Sequence, residues 1–546
     1  MTETKNPFLE PYNTPHHTPP FHLIKVEHYE PAIREGMKEQ NEEIDAIVNN
    51  AEKPNFQNTI VALERSGSLL ERVTTIFGNL LSAETNDEMQ ELAEKMMPLL
   101  AEHNNSISLN EKLFARIKAV YDRKDQLTLN GEDSMLLQKT YDGFIRSGAN
   151  LQGEAKEKYR RLNTELSVLA LRFSQNLLKE TNNYELSLTT SQLEGLPESM
   201  LESYAQTAKE KGKEGNIITL DAPSFVPFMK YCKDRILRQQ LYMAYNTQCT
   251  HDNEYNNMDI IKQLVNIRME LVQLLGYSNY AEYVLKKRMA ETEESVYQLL
   301  NQLLEAYSPT AHQEVKEVEE LAHRLEGNDF QLMPWDWAYY SEKLKNEKFK
   351  LNEEELRPYF ELSQVKQGVF GLATRLYGIT FKENKEIPVY HPDVDAYEVF
   401  DEDGSFLAVL YTDFHPRAGK RSGAWMTSYK EQWIENGINS RPHISVTMNF
   451  SKPSAEKPAL LTFSEVNTFL HEFGHALHGI FANSTYATLS GTSVYWDFVE
   501  LPSQIMENFA IEKEFLNTFA KHYRTGEQIP AQLIPVSYTH LTLPTT

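Results

Sequence analysis

The chain has 546 residues, with 54 Lys and Arg against 78 Asp and Glu for a net charge of −24, and 41% of its residues are hydrophobic. That length can bury a large core or several domains, while so acidic a balance argues against nucleic acid or an anionic membrane surface, whose phosphates need clustered cations. No apolar run reaches the roughly 18 residues needed to span a bilayer, and Cys232 and Cys249, the only cysteines, make neither a disulfide framework nor a cysteine zinc cluster.

The opening stretch, MTETKNPFLEPYNTPHHTPP, is polar and broken by Pro15, Pro19 and Pro20. It predicts an extended arm over residues 1–24 and carries no signal-peptide core, so a reducing cytoplasm is the expected compartment. Residues 25–350 read as a helical lobe. In HYEPAIREGMKEQNEEIDAIVNNAEK, Ile33, Met37, Ile44 and Ile47 recur at helical spacing. Leu162, Leu166, Leu169, Phe173 and Leu177 repeat the pattern, and ESVYQLLNQLLEAYSPTAHQEVKEVEELAHRL does so again. No fixed-period repeat demands a solenoid.

The texture changes after Tyr377. β-branched and aromatic residues flank the turn-like DEDG at 401–404, predicting a hairpin of Tyr397–Phe400 with Phe406–Thr412. HISVTMNF, residues 443–450, predicts another strand. The expected fold is therefore mainly α, with a small β-sheet just before the segment that carries the chemistry.

That segment is TFSEVNTFLHEFGHALHGIFAN, residues 462–483. Thr462 with Glu465 three residues on is a capping box, a helix start signal. On a helical wheel Val466, Phe469, Leu470, Phe473, Ala476, Leu477, Ile480 and Phe481 share one arc, and His471 and His475 lie opposite it. His471-Glu472-Phe473-Gly474-His475 is an H-E-x-x-H pattern. Two imidazoles one turn apart can hold one Zn²⁺, and the adjacent Glu472 can serve as general base toward a water in the metal's open position.

A catalytic zinc takes three protein ligands as a rule. The continuation expected of a metzincin is absent, because His478 stands in its Gly place and Phe481 in its third His place. His478 lies about 10.5 Å of helix rise from His471 and is read as a packing or supporting histidine. A carboxylate from the following segment, SGTSVYWDFVELPSQIMENFAIEKEF, remains. Asp497 is expected to cap a helix with Glu500 at its third position, and Phe498, Leu501, Ile505 and Phe509 to form its apolar stripe. This pattern favours Glu500 as third ligand while leaving Glu507, Glu512 and Glu514 open.

HEFGHALHGIF followed by SGTSVYWDFVELPSQIMEN resembles the thimet-oligopeptidase family of zinc metallopeptidases, above all its bacterial peptidyl-dipeptidase (dipeptidyl carboxypeptidase) branch. NPFLEPYNTP, PNFQNTIVALERSG, WDWAYYSEKL, YFELSQVKQGVFGLATRLYGITF, HPRAGKRSGAW and VTMNFSKP extend the resemblance over nearly the whole chain. It implies one zinc per chain on His471, His475 and Glu500, with Glu472 as catalytic base. It implies a two-lobed helical shell around a deep channel, in which residues 351–534 form the zinc lobe and short unfolded peptides are the substrates. No nucleic-acid or membrane partner is expected, and the chain is expected to be a monomer. The strand in VTMNFSKP is expected to offer an edge to an extended substrate.

The resemblance also implies a Gly- and Tyr-rich segment beyond this point that the chain does not match. PVSYTHLTLPTT is read as a non-native tail over 535–546, with no role given to Tyr538 or His540, and the zinc lobe as incomplete. The chain on its own is therefore expected to hold zinc weakly or not at all and to turn over slowly. Release of C-terminal dipeptides is the expected activity. The alternatives are an oligopeptidase A-like endopeptidase on short peptides and a catalytically impaired peptide-binding shell.

Overall fold

The structure, a computed structural model, describes residues 5–349, 353–454 and 456–534; the expected non-native tail lies outside them. The fold is mainly α with small sheets, as the patterns predict. The helix Val26–Val48 buries Ile33, Ile44 and Ile47. The helix Gly153–Asn183 buries Leu162 and Leu169, with Leu166 and Phe173 half-buried against the same core. Two three-residue strands, β1 (Leu186–Leu188) and β2 (Asn216–Ile218), pair antiparallel within this stretch; strands so short leave no alternation to read. The helix Glu293–Glu326 buries only Val318, Leu321 and Ala322. Tyr297, Leu300, Leu304 and Tyr307 leave its first half with an exposed apolar stripe. Among the described residues no helix is long and apolar enough to cross a membrane.

Beyond Tyr377 come β3 (Thr380–Glu383), β4 (Val394–Phe400), β5 (Phe406–Asp413), β6 (Trp425–Lys430), β7 (Trp433–Glu435), β8 (Ile438–Ser440) and β9 (His443–Thr447). β7 and β8 form a separate ribbon. The others make one sheet in the order β3-β4-β5-β9-β6. The predicted hairpin is β4 with β5, antiparallel, and β9 pairs parallel to β5 and antiparallel to β6. β9 is thus an interior strand. The part of VTMNFSKP inside β9, 446–447, offers no free edge, because both its sides are already paired, and beyond it Met448 and Phe450 donate to the Asp413 and Phe414 carbonyls on the β5 side.

One face of the sheet, with Val399, Leu410, Ile444 and Val446, packs on the helices Leu362–Tyr377 and Phe463–Ile480. The other face, with Ala396, Val409, Tyr411 and Tyr429, shares a core with Phe8, Tyr29, Ile33, Val73, Phe77 and Met96. Residues 5–24 therefore lie against the protein with Phe8 and Phe21 buried, and they contain two short 3₁₀ turns, Pro7–Leu9 and Pro15–His17. His16 stacks on Phe406 with centroids 3.8 Å apart, and its Nε2 lies 2.6 Å from Glu398 Oε1. A buried cluster ties the loop after β5 to the N-terminal helices. Arg417 and Lys420 both pair with Asp413, and Arg417 also reaches Glu84 and the Ala83 carbonyl.

Candidate metal centre

The helix Phe463–Ile480 starts where its sequence signals. Thr462 accepts from the Glu465 amide at 3.1 Å, and Glu465 accepts from the Thr462 amide at 2.8 Å. Val466, Phe469, Leu470, Phe473, Ala476, Leu477 and Ile480 are all buried against the sheet side, which fixes the helix's rotation. Burying each of the Val, Leu, Ile and Phe side chains stabilises by roughly 1.5–3 kcal/mol. Phe481, expected in the same arc, ends the helix and is 39% exposed. The rotation leaves His471 and His475 facing the next helix, Trp496–Glu507.

That second helix differs from its predicted form in two respects. Tyr495 is its N-cap, and Asp497 lies in its first turn. The Asp497 carboxylate accepts instead from the amides of Met289 and Ala290 at 2.9 and 3.0 Å, in the turn that precedes the helix Glu293–Glu326. Leu501 and Ile505 are each half-exposed, whereas Ser503 and Met506 are buried. The face turned to the histidines is Glu500, Ser503 and Glu507, at i, i+3 and i+7. At Ser503 it is small, because there the two helices nearly touch. A Cβ built on Gly474 would stand 2.5 Å from the Pro502 carbonyl oxygen and 2.6 Å from Ser503 Cα.

Close approach brings the donors together. Glu500 Oε2 lies 3.2 Å from His471 Nε2 and 3.1 Å from His475 Nε2. His471, His475 and Glu500 offer ligand atoms that all lie within 4.8 Å of one another. Tetrahedral ligands at 2.0–2.1 Å from a zinc ion stand about 3.3 Å apart, so the nitrogen–oxygen separations suit such an ion. Ser503 Oγ donates to Glu500 Oε2 at 2.8 Å and holds that carboxylate on its own helix. The structure thus brings together Glu472, His471, His475 and Glu500. Glu512 and Glu514 open the next helix, Lys513–Phe519, and are not part of this cluster.

Glu472 sits beside the cluster and is 5% exposed, and its Oε2 is buried without a hydrogen-bond partner. Burial pushes its carboxyl up to about 7; His471 opposes this shift and Glu500 adds to it. Burial lowers His475 as well, favouring the neutral ring that can offer a lone pair. His478 is also lowered by burial, and its Nδ1 is buried and unpartnered.

One contact was not anticipated from the sequence. Glu507 Oε1 lies 2.6 Å from His471 Nδ1, on the side of the ring away from Glu500, while Asn467 Nδ2 donates to Glu507 Oε2 at 3.0 Å. The signal was available in part, since Glu507 follows Glu500 by two helical turns and Asn467 precedes His471 by one. Its register against the neighbouring helix was not.

The sequence model of Peptidase family M3 matches residues 228–539. The chain is 40% identical over 533 residues to the dipeptidyl carboxypeptidase of Escherichia coli (strain K12), covering 97% of this chain and 78% of that protein. Identity to the dipeptidyl carboxypeptidase of Salmonella typhimurium is also 40%, over 534 residues, with the same coverage of 97% and 78%. Oligopeptidase A of Escherichia coli (strain K12) is 35% identical over 536 residues, again covering 97% of this chain and 78% of the relative. With a family match over more than half of its length and relatives at this identity along nearly all of it, the chain belongs to peptidase family M3 and is a metallopeptidase.

Proposed function

We propose that this chain is a zinc-dependent peptidase that removes dipeptides from the C-termini of short peptides, with zinc held by His471, His475 and Glu500 and with Glu472 as general base. The observation that carries the reading is the convergence of His471 Nε2, His475 Nε2 and Glu500 Oε2 beside the unpartnered Glu472 Oε2. Two imidazoles and one carboxylate are a donor set that suits zinc and leaves a fourth position for water or substrate. Zinc bound there supplies charge stabilisation at the scissile carbonyl and acidifies water.

The chain's own residues supply the rest. Glu472 Oε2 takes the proton of the attacking water and later passes it to the leaving amine nitrogen. In the metal-free protein burial raises its carboxyl to about 7. Ser503 keeps Glu500 turned toward the two rings. Short peptides are the partners, and the cytoplasm is the compartment we assign. Both cysteines are free and buried, in keeping with a reducing environment.

Cleavage inside short peptides is the second reading, supported by the 35% identity to oligopeptidase A. Product analysis separates the two. On a peptide with a free C-terminus, the first products should be C-terminal dipeptides, and amidating that terminus should suppress cleavage strongly. Equal cleavage of the amidated peptide at internal bonds would sink the exopeptidase assignment and favour the second.

A further inference from the structure

We propose that Glu507 is a positioning residue, held by Asn467, that fixes the His471 ring and places the ring proton on Nδ1, so that Nε2 is free to bind the metal. The inference rests on the metal site proposed above and assigns a role to residues outside it.

His471 has two ring nitrogens pointing in different directions. Nε2 faces Glu500 Oε2 at 3.2 Å and Nδ1 faces Glu507 Oε1 at 2.6 Å. Glu507 therefore cannot join Glu500 on the same ion without a reversal of the ring. Its second oxygen is taken by Asn467 Nδ2 at 3.0 Å. Asn467 and His471 sit one turn apart on one helix, so a single carboxylate from the other helix bridges both. With zinc on Nε2 the neutral ring has one proton left, on Nδ1, where Glu507 Oε1 is placed to accept it. A carboxylate behind a ligating imidazole also makes the ring a stronger donor. His475 receives no such partner on its Nδ1 among the described residues, so the support is specific to His471.

Glu500 and Glu507 share one helix, as do Asn467, His471 and His475 on the other. One helix pair therefore sets both the third ligand and the orientation of the first. A shift of one helix along the other would disturb Glu500 and Glu507 together.

The test is zinc affinity of the full chain, measured by competition with a chelating dye, with the melting temperature of the metal-free protein recorded alongside. Glu507→Leu should weaken zinc binding by about 10–100-fold. Glu507→Gln keeps an acceptor for Nδ1–H without the charge and should lose clearly less. Both should leave the metal-free melting temperature close to wild type. In the zinc-loaded wild type, nitrogen-15 shifts of His471 should report a protonated Nδ1 in a strong hydrogen bond, and that signature should be lost in Glu507→Leu and kept, though weaker, in Glu507→Gln. If Glu507→Leu fails to fold, the glutamine variant and Asn467→Ala carry the comparison, each with a measurable loss of affinity. Wild-type affinity in every folded variant, or zinc bound through Nδ1 of His471 in the wild type, would overturn the inference. If Glu500→Gln also bound zinc like wild type, the proposed site itself would have failed.

Discussion

Replacing Glu472 by glutamine is expected to slow peptide hydrolysis by about 10²–10⁴-fold while making the metal-free protein more stable at pH 8. The two effects share one cause. The Glu472 carboxyl is buried with one oxygen unpartnered, and its pKa is about 7 in the fold against an ordinary 4.5. Between those values the unfolded chain has released the proton and the folded chain still holds it. Stability therefore falls as pH rises through that window, and the full cost, roughly 3 kcal/mol, is present above it. Glutamine carries no such charge. Metal-free Glu472→Gln should melt above metal-free wild type at pH 8 and level with it near pH 4.5. Catalysis moves the other way, because an amide cannot take the proton of the attacking water. Scanning calorimetry at the two pH values and a peptide-cleavage rate check both halves. A variant that kept its activity, or whose melting difference did not depend on pH, would contradict the assignment of Glu472.

Gly474→Ala is expected to disable the site although residue 474 is not a ligand. The added methyl would lie 2.5 Å from the Pro502 carbonyl oxygen, 2.9 Å from its carbon and 2.6 Å from Ser503 Cα. These are backbone atoms, so no rotamer change relieves the clash, and the two helices must move apart by about 1 Å. Overpacking of this kind costs about 1–3 kcal/mol. Pro502 and Ser503 adjoin Glu500, so the displacement carries the third ligand away from the two rings. A misplacement of that size costs about 10²-fold in rate. We therefore expect at least that loss of activity, weaker zinc binding and a lower melting temperature. Gly78→Ala is the control, since that helical glycine has nothing within 4 Å of an added Cβ. Alanine there should be neutral or stabilising by up to about 1 kcal/mol. If both substitutions behaved alike, the close approach of the two helices would not be what assembles the site.

Local signals carried far in this chain, and long-range ones did not. The Thr462–Glu465 box and the apolar arc from Val466 to Ile480 placed the histidine helix and its rotation, because capping and burial periodicity are properties of one segment. The β4–β5 hairpin was legible for the same reason. The position of β9 was not, because a parallel partner, β5, and an antiparallel one, β6, come from elsewhere in the chain. Nor was the use of residues 5–24 and the first helices as cover for one face of the sheet, where Phe21 meets Tyr411 and Tyr429. Within the site, residue types at fixed spacing pointed to His471, His475 and Glu472. The choice among carboxylates depended on how the second helix turns. Reading Leu501 and Ile505 as its buried stripe failed because the helix turns Ser503 onto Gly474, where the backbones stand too close for a larger side chain, so the face that carries Ser503 with Glu500 and Glu507 is the one turned to the histidines.

The account stands on one metal position shared by two helices, and zinc binding tests it most directly. Equilibrium dialysis of the full chain and of His471→Ala, His475→Ala and Glu500→Ala against graded free zinc gives stoichiometry and affinity together. Whatever the absolute affinity of the wild type, it should saturate at one zinc per chain, and each variant should bind that ion at least about 100-fold more weakly, since each loses one of three ligands. A wild type that saturates at more than one ion through these residues, or a Glu500→Ala variant that binds one ion as tightly as wild type, would contradict it.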